Sequence, residues 1–133
     1  MSPDRKMRIV VADDTQLVLR VCSCLVTECH RAELVGTARN GAELLNVCRS
    51  ACPDLVLVDV HMPVMNGLEA VASIRQEFPD MRVVFVTSDD SAQLKDECMA
   101  LGSLAVLPKL TSQAELCTLM SELIGSCDLR SHK

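Results

Sequence analysis

Four short runs in this chain are apolar at consecutive positions: Ile9–Ala12 (IVVA), Leu55–Val58 (LVLV), Val83–Val86 (VVFV) and Leu104–Leu107 (LAVL). A strand with one wet face alternates apolar and polar residues, whereas a run that is apolar throughout needs cover on both faces. Each run is too short for a helix and rich in β-branched residues. With their polar flanks they read as strands at Arg8–Ala12, Leu55–Val58, Arg82–Thr87 and Leu104–Leu107, and Glu33–Ala38 makes a fifth. The segments between them have helical periodicity. Leu17, Val18, Val21, Cys22, Leu25, Val26 and Cys29 form one apolar stripe. Ala42–Ala51 turns Leu44, Leu45 and Cys48 inward, and Leu68–Glu77 presents Leu68, Val71 and Ile74, with Phe78 following on the same face. Ala92–Leu101 is closed by Gly102, a helix-terminating residue. Ser112–Ser126 closes the series with Leu116, Cys117, Met120, Leu123 and Ile124 inward.

Five βα units in series predict an α/β fold with helices on both faces of a parallel sheet. The expected architecture is a flavodoxin-like (βα)5 doubly wound sheet of strand order 2-1-3-4-5. At 133 residues the chain suits one domain, expected over residues 7–127, with short polar tails at 1–6 and 128–133. The net charge of −5 and an aromatic content limited to Phe78 and Phe85 argue against direct nucleic-acid binding, which needs basic surface and stacking platforms. No apolar run approaches the roughly 18 residues of a membrane span. The eight cysteines (Cys22, Cys24, Cys29, Cys48, Cys52, Cys98, Cys117 and Cys127) lack the doubled C-x-x-C spacing of a zinc site. No signal peptide precedes the first strand. The cysteines are therefore expected to be reduced, buried or half-buried thiols in a cytoplasmic protein.

In such a sheet the functional site lies at the carboxyl ends of the strands. Strand one ends in Asp13-Asp14, strand three in Asp59, strand four in Thr87-Ser88, and strand five near Lys109. Crowded carboxylates resist ionisation together, and a hard cation such as Mg²⁺, which takes oxygen ligands, relieves the conflict. Lys109 offers a compact positive charge and Thr87 a hydroxyl donor for phosphoryl oxygens. A carboxylate can accept phosphate as an acyl phosphate, so Asp59 is the natural nucleophile of a phosphoryl-transfer site.

The strings VVADD (Val10–Asp14), LVLVDVHMPVMNGLEA (Leu55–Ala70), VVFVTS (Val83–Ser88) and LGSLAVLPK (Leu101–Lys109) resemble the response-regulator receiver domains of two-component signalling. The resemblance covers roughly Met7–Ile124, and Asp59 followed by Met62-Pro63 and Asn66-Gly67-Leu68-Glu69 is its most specific part. It implies that Asp59 takes phosphate from a phosphohistidine on a sensor histidine kinase or phosphotransfer protein. It implies that Asp14, Asp59 and the backbone carbonyl of His61 bind Mg²⁺, with Asp13 assisting through water. It also implies that Thr87 and Lys109 hold the phosphoryl group, and that His61, Ser88 and Asp89 tune its lifetime. The sequence departs from the family pattern at two places. Leu110, not proline, follows Lys109, and Val106 stands where a switching Tyr or Phe is usual.

The function expected is a phosphorylation-controlled signalling switch that catalyses only its own phosphorylation and dephosphorylation. Its output would be a downstream protein target or a further C-terminal domain. A dimer through the face of helix four, strand five and helix five is a further expectation. Two other readings compete: a phosphorylation-independent receiver-like scaffold, and an Asp-nucleophile phosphatase. Phosphatases of that kind place an Asp two residues after the nucleophile, where this chain has His61.

Overall fold

A computed structural model describes residues 6–28, 32–108 and 122. Its elements are β1 (Met7–Ala12), α1 (Gln16–Glu28), β2 (Ala32–Ala38), α2 (Gly41–Ala51), β3 (Leu55–Asp59), α3 (Gly67–Glu77), β4 (Arg82–Thr87), α4 (Ala92–Ala100) and β5 (Ala105–Pro108). The five strands form one parallel sheet in the order β2-β1-β3-β4-β5, as the sequence predicts. Lys109, the helix expected at Ser112–Ser126 and both tails beyond residue 6 lie outside the described residues, apart from Glu122.

Alternate residues of the strands feed two cores. Val10, Val56, Val58, Val83 and Phe85 face α2, α3 and α4, against Leu44, Cys48, Val71, Ile74, Leu94 and Cys98. Ile9, Val11, Leu55, Leu57 and Val84 face the other way, against Leu19 and Val26 of α1. β3 is buried at all five positions, which is why its sequence is continuously apolar up to Asp59. Among the described residues no helix is long and apolar enough to cross a membrane.

Both Asn-Gly pairs are helix starts. The Asn40 side chain accepts from the backbone N–H of Glu43 at 2.9 Å. Asn66 and Glu69 form a reciprocal capping box: Asn66 Oδ1 accepts from Glu69 N at 2.9 Å, and Glu69 Oε1 accepts from Asn66 N at 3.1 Å. Such caps satisfy otherwise orphaned helix N–H groups. Asn66→Ala is expected to lower stability by about 1 kcal/mol, read as a lower urea midpoint with unchanged slope. At the far end of α4, Gly102 has φ +80°. Its N–H donates to Met99 O at 2.9 Å while Ser103 N–H donates to Cys98 O at 3.4 Å, a left-handed helix stop that favours glycine.

Two expectations are corrected. Leu17 is 69% exposed, and Leu19 is the buried residue of the first turn of α1. Leu19 and Val26, seven apart, meet the sheet, while Leu17 falls on the solvent flank of a stripe broader than the contact. Cys24 and Cys52 are exposed free thiols, whereas Cys48 and Cys98 are buried as expected. Burial, then the nearby Cys52 thiol and Glu77, push the Cys48 thiol up to about 12, so it stays protonated and packs as a small hydrophobe. Cys52 follows the helix in a left-handed conformation, φ 49°. Met62 is buried and Met65 packs against the core, but Met99 is exposed.

Candidate functional site

The register of the sheet assembles the site. Ala12 pairs with Val58, so Asp13 follows β1 just where Asp59 ends β3. Asp59 pairs with Val86 and Thr87 with Pro108, so Thr87 ends β4 one step further along the rim. Asp13, Asp59 and Thr87 are buried, and Asp14 is exposed. One carboxylate oxygen from each of Asp13, Asp14 and Asp59 lies within 4.8 Å of the other two. Lys109 adjoins Pro108 in the chain but lies outside the described residues.

Backbone donors hold these side chains. Thr15 N–H donates to Asp13 Oδ1 at 2.8 Å, and the N–H of Asp13 itself donates to Ala38 O at 3.0 Å. His61 N–H donates to Asp59 Oδ1 at 3.2 Å. The hydroxyl oxygen of Thr87 accepts from Asp89 N–H at 3.0 Å. Asp89 in turn accepts from Ser91 N–H at 2.9 Å, and its Oδ2 lies 4.0 Å from His61 Nε2 across the rim. The Ser91 hydrogen bonds, aided by His61, hold the Asp89 carboxyl below its ordinary range. The expected tuning residues His61, Ser88 and Asp89 are all exposed on this rim. Val106 is paired with Phe85 across β4 and β5 and packs on the first core.

The loop after β3 is tied down at several points. Gly67 N–H donates to Val60 O at 2.8 Å, and Gly41 N–H donates to Met65 O at 2.8 Å. Val64, 84% exposed, sits at φ 68°, and Met65 N–H reaches back to Pro63 O at 2.7 Å. A β-branched residue is strained in the left-handed region. Relief of about 1–2 kcal/mol of backbone strain exceeds the added chain entropy of glycine, about 0.5–1 kcal/mol. Val64→Gly is therefore expected to raise stability by about 0.5–1 kcal/mol in urea unfolding. A fall in the midpoint would contradict the strain assignment.

An all-oxygen cluster of three carboxylates, two of them buried, fits a hard divalent cation. Sequence reasoning finds the cluster from the strand ends alone. It misses the Met65–Gly41 tie and the approach of Gly67 to Asp59, because neither leaves a periodic signal.

A parallel five-stranded sheet with acidic groups and a threonine at its carboxyl rim is the architecture of receiver domains. The family model of the response regulator receiver domain matches residues 9–121, and the chain belongs to this family. It is similar to the protein-glutamate methylesterase/protein-glutamine glutaminase of Clostridium acetobutylicum, 31% identical over 121 residues, covering 90% of this chain and 35% of that protein. It is also similar to the uncharacterized transcriptional regulatory protein YhcZ of Bacillus subtilis, 34% identical over 110 residues, covering 83% of this chain and 51% of that protein. The response regulator domain of Thermotoga maritima CheB superposes with a TM-score of 0.83 at 23% identity, covering 92% of this chain and 96% of that domain. The chain thus spans about half or less of the curated relatives it matches.

Proposed function

We propose that this receiver domain accepts one phosphoryl group on Asp59 from a histidine kinase or phosphotransfer protein. The observation that carries the reading is the convergence of Asp13, Asp14 and Asp59 within 4.8 Å beside the buried Thr87. A carboxylate oxygen of Asp59 attacks phosphorus, the P–N bond to the donor imidazole breaks, and the imidazole leaves with the bonding pair. Asp13, Asp14, Asp59 and the His61 carbonyl would hold Mg²⁺, which supplies charge neutralisation to the phosphoryl oxygens when bound. The His61 N–H orients the acceptor carboxylate. The Thr87 hydroxyl, already accepting from Asp89 N–H, keeps its proton for a phosphoryl oxygen. Lys109, next to the residue paired with Thr87, supplies the positive charge.

The phosphoryl group adds negative charge at the rim and shifts the population of a protein-binding surface. That surface comprises α4, β5 and the segment after them, and it also serves for dimerisation. With no aromatic at Val106, the readout runs through Thr87 and the loop to Ser91 instead of through a ring. The domain spans residues 7–127, works in the cytoplasm, and acts on a downstream protein or a further output domain. It is a switch, with no metabolic substrate of its own.

The test is incubation with a small acyl phosphate and Mg²⁺. Intact mass should rise by one phosphoryl group, the gain should vanish with a chelator, and hydroxylamine should reverse it. Steady turnover of phosphomonoesters would instead favour the phosphatase, and no gain with any donor would leave the scaffold.

A further inference from the structure

The loop from Val60 to Gly67 carries the His61 carbonyl proposed for the cation, and its shape is costly. Met65 N–H donates to Pro63 O at 2.7 Å around Val64, whose φ is 68°. A hydrogen bond between residues two apart, closed around a positive φ, is the rare and strained kind of γ-turn. Val64 is exposed, so its own packing returns little of that cost. Backbone strain of this kind persists only where the surrounding structure over-determines it.

Part of the constraint lies within the loop. Gly67 N–H closes its base on Val60 O at 2.8 Å, Met62 is buried, and Met65 packs against the first core. The other part comes from a different element. Gly41, the first residue of α2, donates its N–H to Met65 O at 2.8 Å. The first N–H groups of a helix have no partner within it. Asn40 satisfies that of Glu43, and the loop carbonyl satisfies that of Gly41.

The two backbones approach closely because no side chain stands between them. A Cβ on Gly41 would overlap the carbonyl oxygen of Met65 and lie 2.8 Å from its Cβ and Cγ. Gly41 does not have a positive φ, and alanine is the better helix former. Glycine is therefore required here by the approach to Met65 and not by the backbone conformation of α2. A displacement at Met65 is passed along a loop pinned at its base to His61, whose N–H also donates to Asp59 Oδ1 at 3.2 Å.

We propose that Gly41 is a positioning residue for the divalent-cation site, its amide and its missing Cβ fixing the loop that carries the His61 carbonyl. The inference rests on the Mg²⁺ reading of the acidic cluster, and it adds α2 to the elements that shape the site.

The test is amide NMR of the full chain titrated with Mg²⁺ in the absence of any phosphodonor, with affinity read at Asp13, Asp14 and Asp59. Gly41→Ala should bind Mg²⁺ about tenfold more weakly, as loss of a group that orients metal ligands does. Gly36→Ala, whose added Cβ would meet a methyl of Val47 away from the loop, should bind Mg²⁺ as the unaltered chain does. That contrast separates positioning from a general loss of stability. Coupled equilibria are reciprocal, which supplies a second measurement on the unaltered chain. If the Gly41–Met65 bond favours the cation, the cation favours the bond. Saturating Mg²⁺ should therefore slow hydrogen exchange of the Gly41 amide by about tenfold. The Glu43 amide, bonded to Asn40 Oδ1 at 2.9 Å, should slow much less. This measurement decides the matter if Gly41→Ala does not fold. No Mg²⁺ uptake by the unaltered chain would overturn the cation reading and this inference with it. Equal affinity in Gly41→Ala and the unaltered chain, or Gly41 exchange indifferent to Mg²⁺, would overturn this inference alone.

Discussion

Asp59→Asn is expected to abolish the one-phosphoryl mass gain completely while leaving the fold intact. Asparagine keeps the shape of the side chain and an oxygen that can accept from His61 N–H, the 3.2 Å bond that orients the native carboxylate. It removes the anionic nucleophile, and an amide does not form a stable acyl phosphate under these conditions. Stability should not suffer, for an electrostatic reason. Asp13 and Asp59 are both buried and present oxygens within 4.8 Å of each other. At an effective dielectric of about 20, such a pair of like charges repels by roughly 3 kcal/mol before its other partners are counted. Neutralising one member should therefore leave stability unchanged or raise it by up to about 2 kcal/mol without metal. The same change should blunt stabilisation by Mg²⁺, since the cation gains less where the cluster holds two carboxylates instead of three. A mass gain that persists in Asp59→Asn would place the acceptor elsewhere, and a collapsed fold would show that the carboxylate is structural.

Asp59 was legible in the sequence because topology restricts where polar residues can stand. Val56, Val58, Val83 and Phe85 must be apolar to fill one core, and Leu55, Leu57 and Val84 to fill the other. The first polar residue after such a run therefore marks a strand's carboxyl end, and parallel strands bring those ends together. Asp13, Asp59 and Thr87 all follow from that rule. What stayed hidden depends on contacts between distant segments. The periodic stripe of α1 includes Leu17 and passes over Leu19, and only the docking of the helix on the sheet buries Leu19 and leaves Leu17 in solvent. Val64 at φ 68° runs against local preference, so no propensity argument finds it. Arg75 looks like any surface arginine of a helix, yet it ties the carbonyls after α3 to those after α4. Nothing in the sequence around Asn66-Gly67 announces that this glycine lies against the backbone of Asp59.

That last contact carries the other large effect. A Cβ added at Gly67 would lie 2.3 Å from the carbonyl oxygen of Asp59 and 3.0 Å from Cα of Val60. Both are backbone atoms, so no rotamer change relieves the overlap, and either β3 or the start of α3 must move. Alanine in a helix's first turn would ordinarily gain up to about 1 kcal/mol over glycine. Backbone overlap of this severity outweighs that gain, and Gly67→Ala is expected to lose about 3 kcal/mol or more. The loss should also reach the chemistry. The amide of Gly67 is bonded to Val60 O at 2.8 Å, one residue from Asp59, so displacement of this strand end misplaces the Asp59 carboxylate. A shift of about 1 Å at a reacting group can cost on the order of 100-fold in rate. Phosphoryl uptake should therefore slow by one to two orders of magnitude even at a temperature where the variant is folded. Gly36→Ala is the control. Its added Cβ would meet a methyl of Val47 at 2.6 Å, a side-chain tip that can yield, and β2 does not carry Asp59. It should cost less, about 1–2 kcal/mol, and leave the uptake rate near that of the unaltered chain. Urea unfolding together with the rate of mass gain separates the two variants. Equal stability for Gly67→Ala and the unaltered chain, or equal slowing in both glycine variants, would refute the coupling between this glycine and Asp59.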